Sequence, residues 1–219
     1  MKKLLLTTML VTALAGCSSA KTSTTSATGD HLARIQSAGK ITIATEGVWS
    51  PFTYHDETTD ELVGFDVEVA KAVADKLGVE AEFKEVNFDG GLTGVAQGTF
   101  DMMANGVDIT EERSNSYDFT EPYMYSPGAW FVNENAEDIN EIKDLYGKSV
   151  GVVAGSVDID MYNEADPDGQ INQVMYSDTT AAYKDVELER LDAVGISKPQ
   201  GAYLIKNGDV KGLKVTGYN

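Results

Sequence analysis

One cysteine, two histidines, two tryptophans and five prolines are all that 219 residues supply of those types. A lone Cys17 cannot close an internal disulfide, so the stability of the folded body must come from its core. Catalysis through histidine finds little support, since His31 and His55 stand in no HExxH pattern. Basic residues are scarce as well: Lys+Arg number 17 against 35 Asp+Glu, a formal charge of −18. Removing a leader that holds Lys2 and Lys3 leaves 17 − 2 = 15 basic residues, or about −20. A surface so negative repels phosphate backbones, which excludes nucleic acid as a natural partner. Long apolar runs are missing too. The stretch from Leu4 to Leu14 is too short for a stable bilayer span.

What is present begins with that stretch. "MKKLLLTTMLVTALAGCSSA" has a basic start, an apolar middle and small residues at its end, the pattern of a secretory signal peptide. Leu14-Ala15-Gly16-Cys17 resembles a bacterial lipobox, which implies cleavage after residue 16, lipidation of Cys17 and anchoring to the cell envelope. Residues 17–30, rich in Ser, Thr and Ala, read as a flexible tether. Beyond them 42% hydrophobic residues provide ample material for a core.

Folded sequence begins near His31. "ITIAT" alternates as a strand does, and "EGVWSPF" follows as an irregular turn. "GFDVEVAKAVADKLG" predicts a helix with Val69, Ala70, Val73 and Leu77 on one face, Asp66 as N-cap and Gly78 just past the end. A strand "AEFKEV", a short helix through "DGGLTGVAQG" and a strand "FDMMAN" complete a β-α-β-α-β series. After a Tyr- and Phe-rich segment the pattern restarts. It gives a helix at "EDINEIKDL", a strand "KSVGVV", a helix over 157–165, a strand "INQVMY" and a helix "DTTAAYKDVELERL". The strand "DAVGI", the helix "PQGAYLIKNG" and the strand "LKVTG" follow. Two α/β units in series predict two lobes about a cleft, with ligands at the carboxyl ends of strands. "ANGVDITEER" lies at one such end and brings Asp108 and Arg113 close together, as a site for a molecule with both charges requires.

"ATEGVWSPF", "LVGFDVEVAKAVADKLGV", "FDMMANGVDITEERSNSYDFTEPY", "LYGKSVGVVAGS" and "ERLDAVGISKPQGAYLIK" stand in this order behind the lipobox. In that order they resemble the polar amino-acid branch of the extracytoplasmic solute-binding proteins that feed ABC importers. The resemblance implies a bilobal, periplasmic-binding-protein-like α/β fold, with two parallel-type sheets flanked by helices. It divides the chain into lobe 1 over 31–124, a hinge crossover over 125–134 and lobe 2 over 135–219. It implies a free amino acid as ligand, an ABC permease as partner, a monomer, no cofactor, no metal and an extracytoplasmic location.

The same resemblance places Arg113 on the ligand's α-carboxylate, a fit to guanidinium geometry. Backbone N–H groups of the turn from Asn105 and Gly106 to Asp108 add donors, and Trp49 and Phe88 form the side-chain walls. Glu46 reaches toward the ligand's distal end, and Ser156 in "AGSVD" closes from the second lobe at a helix N-terminus. Two departures stand out. Asp108 occupies a position where many relatives carry Ser or Thr, and Ser197 one where they carry the Asp that takes the ligand's ammonium. Asp108 is expected to supply the missing carboxylate, with Asp158 as a weaker candidate from the second lobe. A third departure is that relatives continue past Asn219 with a returning strand and terminal helices, so the sequence reads as a fragment or a truncated variant.

Other motifs are weaker. "NEADPDGQIN" imitates a calcium loop through Glu164, Asp166 and Asp168, but its twelfth position is Met175 rather than the required glutamate. "GVVAGS" lacks the lysine of a phosphate-binding loop. The alternative function is enzymatic: some relatives on this fold are cyclohexadienyl dehydratases, for which Glu46 would be the acid, and prephenate or arogenate would be consumed rather than returned.

Overall fold

The computed structural model describes residues 28–217, so Cys17, the lipobox and most of the tether lie outside the described residues. Helix α1 (Thr28–Ala38) leads into strand β1 (Lys40–Thr45), whose Ile41, Ile43 and Ala44 are buried. Three very short strands follow, β2 (Val48–Trp49), β3 (Thr53–His55) and β4 (Leu62–Val63), in an antiparallel sheet of order β2-β3-β4. None of these strands was expected from the sequence, because two or three residues are too few to show alternation.

Helix α2 (Phe65–Leu77) ends at Gly78 in the left-handed conformation, as expected. Its start is different. Gly64 at φ 128° is the N-cap, and Asp66 is turned inward and fully buried. The buried face is Val67, Ala70 and Ala74, while Val69 and Val73 are only half-buried. It is rotated from the expected face because the helix packs over Ile41 and Ile43 as well as Ile35.

Strand β5 (Glu80–Glu85), helix α3 (Phe88–Ala96) and strand β6 (Met102–Met103) complete the first lobe, with the one-turn helix α4 (Glu111–Ser114) beyond. Its sheet runs β5-β1-β6 with both pairings parallel, Ile43 lying between Phe83 and Met102. The parallel expectation holds here.

The second lobe departs from it. Strand β7 (Gly128–Asn133) is central in a five-stranded sheet and antiparallel to both its neighbours, so this sheet is mixed. The chain then passes a short 3₁₀ turn (Ile142–Leu145), all that forms of the helix expected at "EDINEIKDL", to β8 (Ser149–Val153) and α5 (Val157–Ala165). Strand β9 (Asn172–Tyr176), α6 (Thr179–Glu187), β10 (Ala193–Ser197), α7 (Lys198–Asn207) and β11 (Leu213–Thr216) follow as the sequence implied. The order is β11-β7-β10-β8-β9.

Both faces of this sheet are covered. Ala129 and Phe131 point into a core with Val186, Val194 and Leu204, whereas Trp130 and Val132 point into another with Val150, Val152 and Tyr162. That explains the continuous apolar run "AWFV": a strand buried on both sides shows no polar alternation. The crossover between lobes therefore has no regular structure over 117–127, and residues 128–133 belong to the second sheet. No helix among the described residues is long and apolar enough to cross a membrane.

Candidate functional site

Three strand ends bring residues together where the lobes meet. β1 delivers Glu46, the chain after β6 delivers Asn105 to Arg113, and β8 delivers Gly155 and Ser156. At the first end, the Asn105 side chain is buried and fixed by its neighbours. Its Oδ1 accepts from the Glu46 backbone N–H at 2.8 Å, and its Nδ2 donates to Glu46 Oε2 at 2.7 Å. The other Glu46 oxygen, Oε1, is buried without a hydrogen-bond partner among the described residues. Burial raises the Glu46 carboxyl pKa, the Asn105 amide opposes this, and the nearby charge of Asp178 adds to it. Beside Glu46 opens a cavity of about 220 Å³, lined also by Glu85, Asn87 and, from the second lobe, Ser177 and Asp178.

Gly106 adopts φ 56°, and a β-carbon there would run into the Trp49 ring, 2.6 Å from Cζ3. The indole also lies 4.3 Å from the Phe52 ring, centroid to centroid. Trp49 is thus held flat against the turn that presents Asp108. Asp66 lies beneath, its Oδ1 accepting from the Tyr123 hydroxyl at 3.2 Å. Burial pushes the Asp66 carboxyl up to about 6, against lowering contributions from Tyr123 and the Gly106 backbone N–H.

Arg113 is positioned by Thr110, which caps α4 by accepting from the Arg113 backbone N–H at 3.1 Å. Its guanidinium stands over the Phe88 ring, 5.5 Å from the centroid. Nη1 donates to the Asp108 carbonyl and Nη2 to the Gly155 carbonyl of the other lobe, both at 2.9 Å. Two of the five N–H donors of the fork are thereby used in aiming it. Gly155 precedes Ser156, the N-cap of α5, whose Oγ is buried with no partner among the described residues. Two further contacts join the lobes: Thr180 Oγ1 donates to the Val48 carbonyl at 2.9 Å, and the Tyr54 and Tyr203 hydroxyls stand 3.3 Å apart.

Of the residues singled out from the sequence, Glu46 and Asn105 form one cluster, and Trp49 and Gly106 a second. Phe88, Asp108, Arg113, Ser156 and Asp158 gather at the lobe junction. Asp108 is exposed, and desolvation raises its carboxyl pKa while the Arg113 charge lowers it. Asp158 follows Ser156 in the first turn of α5. Ser197 does not join them: its Oγ accepts from the Gln200 backbone N–H at 3.3 Å and caps α7. Sequence reading missed Asp66, Tyr123, Asn87 and Asp178. The signal for Asp66 is the glycine two positions before it, which frees the aspartate from capping.

The raised carboxyls fix how stability should depend on pH. A carboxyl whose folded pKa lies above its unfolded value stabilises the fold while protonated, and that stability is lost as pH rises through the folded pKa. For Asp66 the window runs from about 4 to about 6 and is worth up to about 3 kcal/mol. Without added amino acid, thermal stability should therefore fall between pH 4 and pH 7, and Asp66→Asn should flatten that slope in calorimetric scans. An unchanged slope in the variant would remove Asp66 as its source.

Comparison with known proteins supplies an independent line. Residues 41–214 match the model of the bacterial extracellular solute-binding proteins, family 3. The "Probable ABC transporter extracellular-binding protein YckB" of Bacillus subtilis (strain 168) is 36% identical over 186 residues, 83% of this chain and 63% of that protein. The L-cystine-binding protein TcyA of the same organism is 38% identical over 155 residues, 68% of this chain and 58% of that protein. The chain thus spans about three fifths of the length of these relatives. Among solved structures, an ancestral arginine-binding protein bound to arginine superposes with a TM-score of 0.78 at 33% identity, covering 83% of this chain and 80% of that one.

Proposed function

The chain belongs to the bacterial extracellular solute-binding proteins, family 3, and from that premise and the geometry of the cleft we propose that it captures a polar amino acid and presents it to an ABC permease. One observation carries the reading. The Arg113 guanidinium is held at the junction of the lobes, between the Phe88 ring and the amino end of α5, where the Ser156 hydroxyl has no partner among the described residues. That is a receptor for a carboxylate: a charged fork from one lobe, a hydroxyl and helix N-terminus from the other. Ligand carboxylate contacts to both lobes exist only when they are together, so binding favours the closed arrangement by the energy of the second set.

The ligand's side chain runs past Trp49 and Phe88 toward the cavity beside Glu46. Glu46, Glu85 and Asp178 make that end acidic, which favours a side chain bearing hydrogen-bond donors or a positive charge. The protein acts as a receptor rather than as an enzyme. It is extracytoplasmic and held to the envelope through a lipid on Cys17.

A thermal-shift panel of the common amino acids, with L-cystine included, tests this. A ligand at one hundred times its dissociation constant adds about 2.7 kcal/mol, or roughly 5–10 °C for a protein of this size. At least one polar amino acid should produce that shift, and the ligand should be recovered unaltered. A panel with no shift above a degree, or consumption of prephenate, would turn the assignment elsewhere.

A further inference from the structure

We propose that Asp158 receives the ligand's α-ammonium and, with Asp108 on the opposite lobe, forms a carboxylate pair that only a bound cation lets approach, so that the amine locks the lobes together. The inference rests on the amino-acid reading of the cleft and adds the group that discriminates an amino acid from a simple acid.

Its foundation is the placement of one side chain. Asp158 is half-buried at the start of α5, and no hydrogen bond to its carboxyl is made among the described residues. Oδ2 lies against the backbone of Gly195, where a β-carbon would come within 2.8 Å of it. Gly195 is two residues before Ser197 on β10, and residues two apart share a face of a strand. The missing side chain at 195 makes room for a carboxylate beside the very strand end where Ser197 offers only a hydroxyl already used as a helix cap.

The charges that face this carboxyl explain what it requires. From the first lobe comes Asp108, whose charge raises the Asp158 pKa further. From α5 itself comes Tyr162, whose hydroxyl accepts from Trp130 Nε1 at 2.8 Å. The Arg113 charge lowers the Asp108 pKa, while its described hydrogen bonds go to the Asp108 and Gly155 carbonyls. Two carboxylates on opposite lobes therefore face each other, and neither forms an ion pair within 4 Å among the described residues. A buried charge without a partner is costly, and like charges resist approach. An ammonium one carbon away from a carboxylate seated on Arg113 and Ser156 meets both demands.

Protonation provides the competing route. Burial and Asp108 together push the Asp158 carboxyl up to about 6. Binding of the amine must then displace that proton, so affinity should rise with pH between 5 and 7.

The test is calorimetric titration of the protein and of Asp158→Asn with L-arginine, with L-glutamine and with their des-amino analogues, 5-guanidinopentanoate and glutaramate. Removing the amine should weaken binding to the unaltered protein at least ~30-fold, the scale of a buried charge pair. Asp158→Asn should lose at least ~30-fold for whichever amino acid binds, keep the analogue within ~3-fold, and lose the rise with pH. Without ligand the variant should melt no lower than the parent, since the substitution removes an uncompensated charge; a merely structural aspartate would lower it. An amino acid that binds the variant as tightly as the parent overturns the role of Asp158 and leaves the receptor assignment standing. Equal losses for amino acid and analogue also overturn it. If neither amino acid binds the parent, the titration is made with the amino acid that shifts the thermal panel and its des-amino analogue, and if none shifts it the receptor assignment itself fails.

Discussion

Replacing Arg113 with methionine should raise the dissociation constant for the amino acid by about 100- to 1,000-fold. Methionine keeps an unbranched apolar stem of similar length and deletes the guanidinium, and with it both the charge and the cation–π contact to Phe88. Breaking a buried charge pair by removing one partner costs roughly 3–5 kcal/mol, and each 1.4 kcal/mol is tenfold. Arg113→Lys separates charge from geometry. A lysine ammonium still attracts a carboxylate but cannot donate to it, to the Asp108 carbonyl and to the Gly155 carbonyl in one plane. It should recover no more than about a tenth of the lost affinity. Calorimetry on both variants decides, and capture by the methionine variant within about threefold of the parent would mean that the carboxylate sits elsewhere.

The same side chain reports on closure. Nη2 is one of three described hydrogen-bonding contacts between the lobes, with Thr180 to Val48 and Tyr54 to Tyr203 the others. The last two involve none of the residues proposed to hold the ligand, whereas the Arg113 bond lies at the proposed carboxylate site. Thr180→Ala should therefore weaken closure without altering which amino acid is chosen.

How much of this was legible in the sequence follows from range. Helices α2, α5, α6 and α7 are marked by local signals: apolar spacing, Asp178 and Ser197 as caps, Gly78 and Gly208 at left-handed ends. β7 reads in the sequence only as part of the hinge crossover over 125–134 and not as an interior strand of the second sheet, since its partners β10 and β11 lie 60 or more residues away. The hairpin strands β2 to β4 left no pattern because they are shorter than one period of any signal. The 3₁₀ turn at 142–145 replaced an expected helix; the Asp144 carboxylate accepts from the backbones of Asn140 and Glu141 and fixes its start, and the chain leaves the turn at Tyr146, which is already extended.

The candidate site divides in the same way. Arg113, Glu46, Trp49 and Ser156 could be named because their neighbours in sequence carry the family resemblance. Their partners could not. Gly155 is 42 residues from Arg113, and Asp66 is 57 from Tyr123, so nothing local links them. Ser197 illustrates the opposite error. A serine before Lys-Pro at the start of a helix satisfies capping preferences on its own, and its Oγ is spent there. The carboxylate that a ligand amine needs then has to be sought by space rather than by position. Gly195 supplies that space.

Space is also what Gly106 supplies, and its replacement by alanine should damage both stability and binding. Two costs add. The residue has φ 56°, a region that costs an L-residue roughly 1–2 kcal/mol. Its new methyl would overlap the Trp49 ring, and forcing atoms into a filled contact costs about 1–3 kcal/mol more. Trp49 has little room to retreat, because its ring also packs against Phe52 with 4.3 Å between centroids. Gly106→Ala should thus lower stability by roughly 2–4 kcal/mol and weaken amino-acid binding at least tenfold, since the displaced indole is the proposed wall of the ligand site. Two companions isolate the cause. Gly98→Ala has a similar φ of 72° with nothing within 4 Å of the new methyl, so it should show the backbone cost alone and bind normally. Trp49→Leu in the Gly106→Ala background should restore part of the stability, giving a coupling of at least about 1 kcal/mol in a double-mutant cycle. Additive effects in that cycle would show that the loss comes from the backbone, and that Trp49 is not held by the turn it covers.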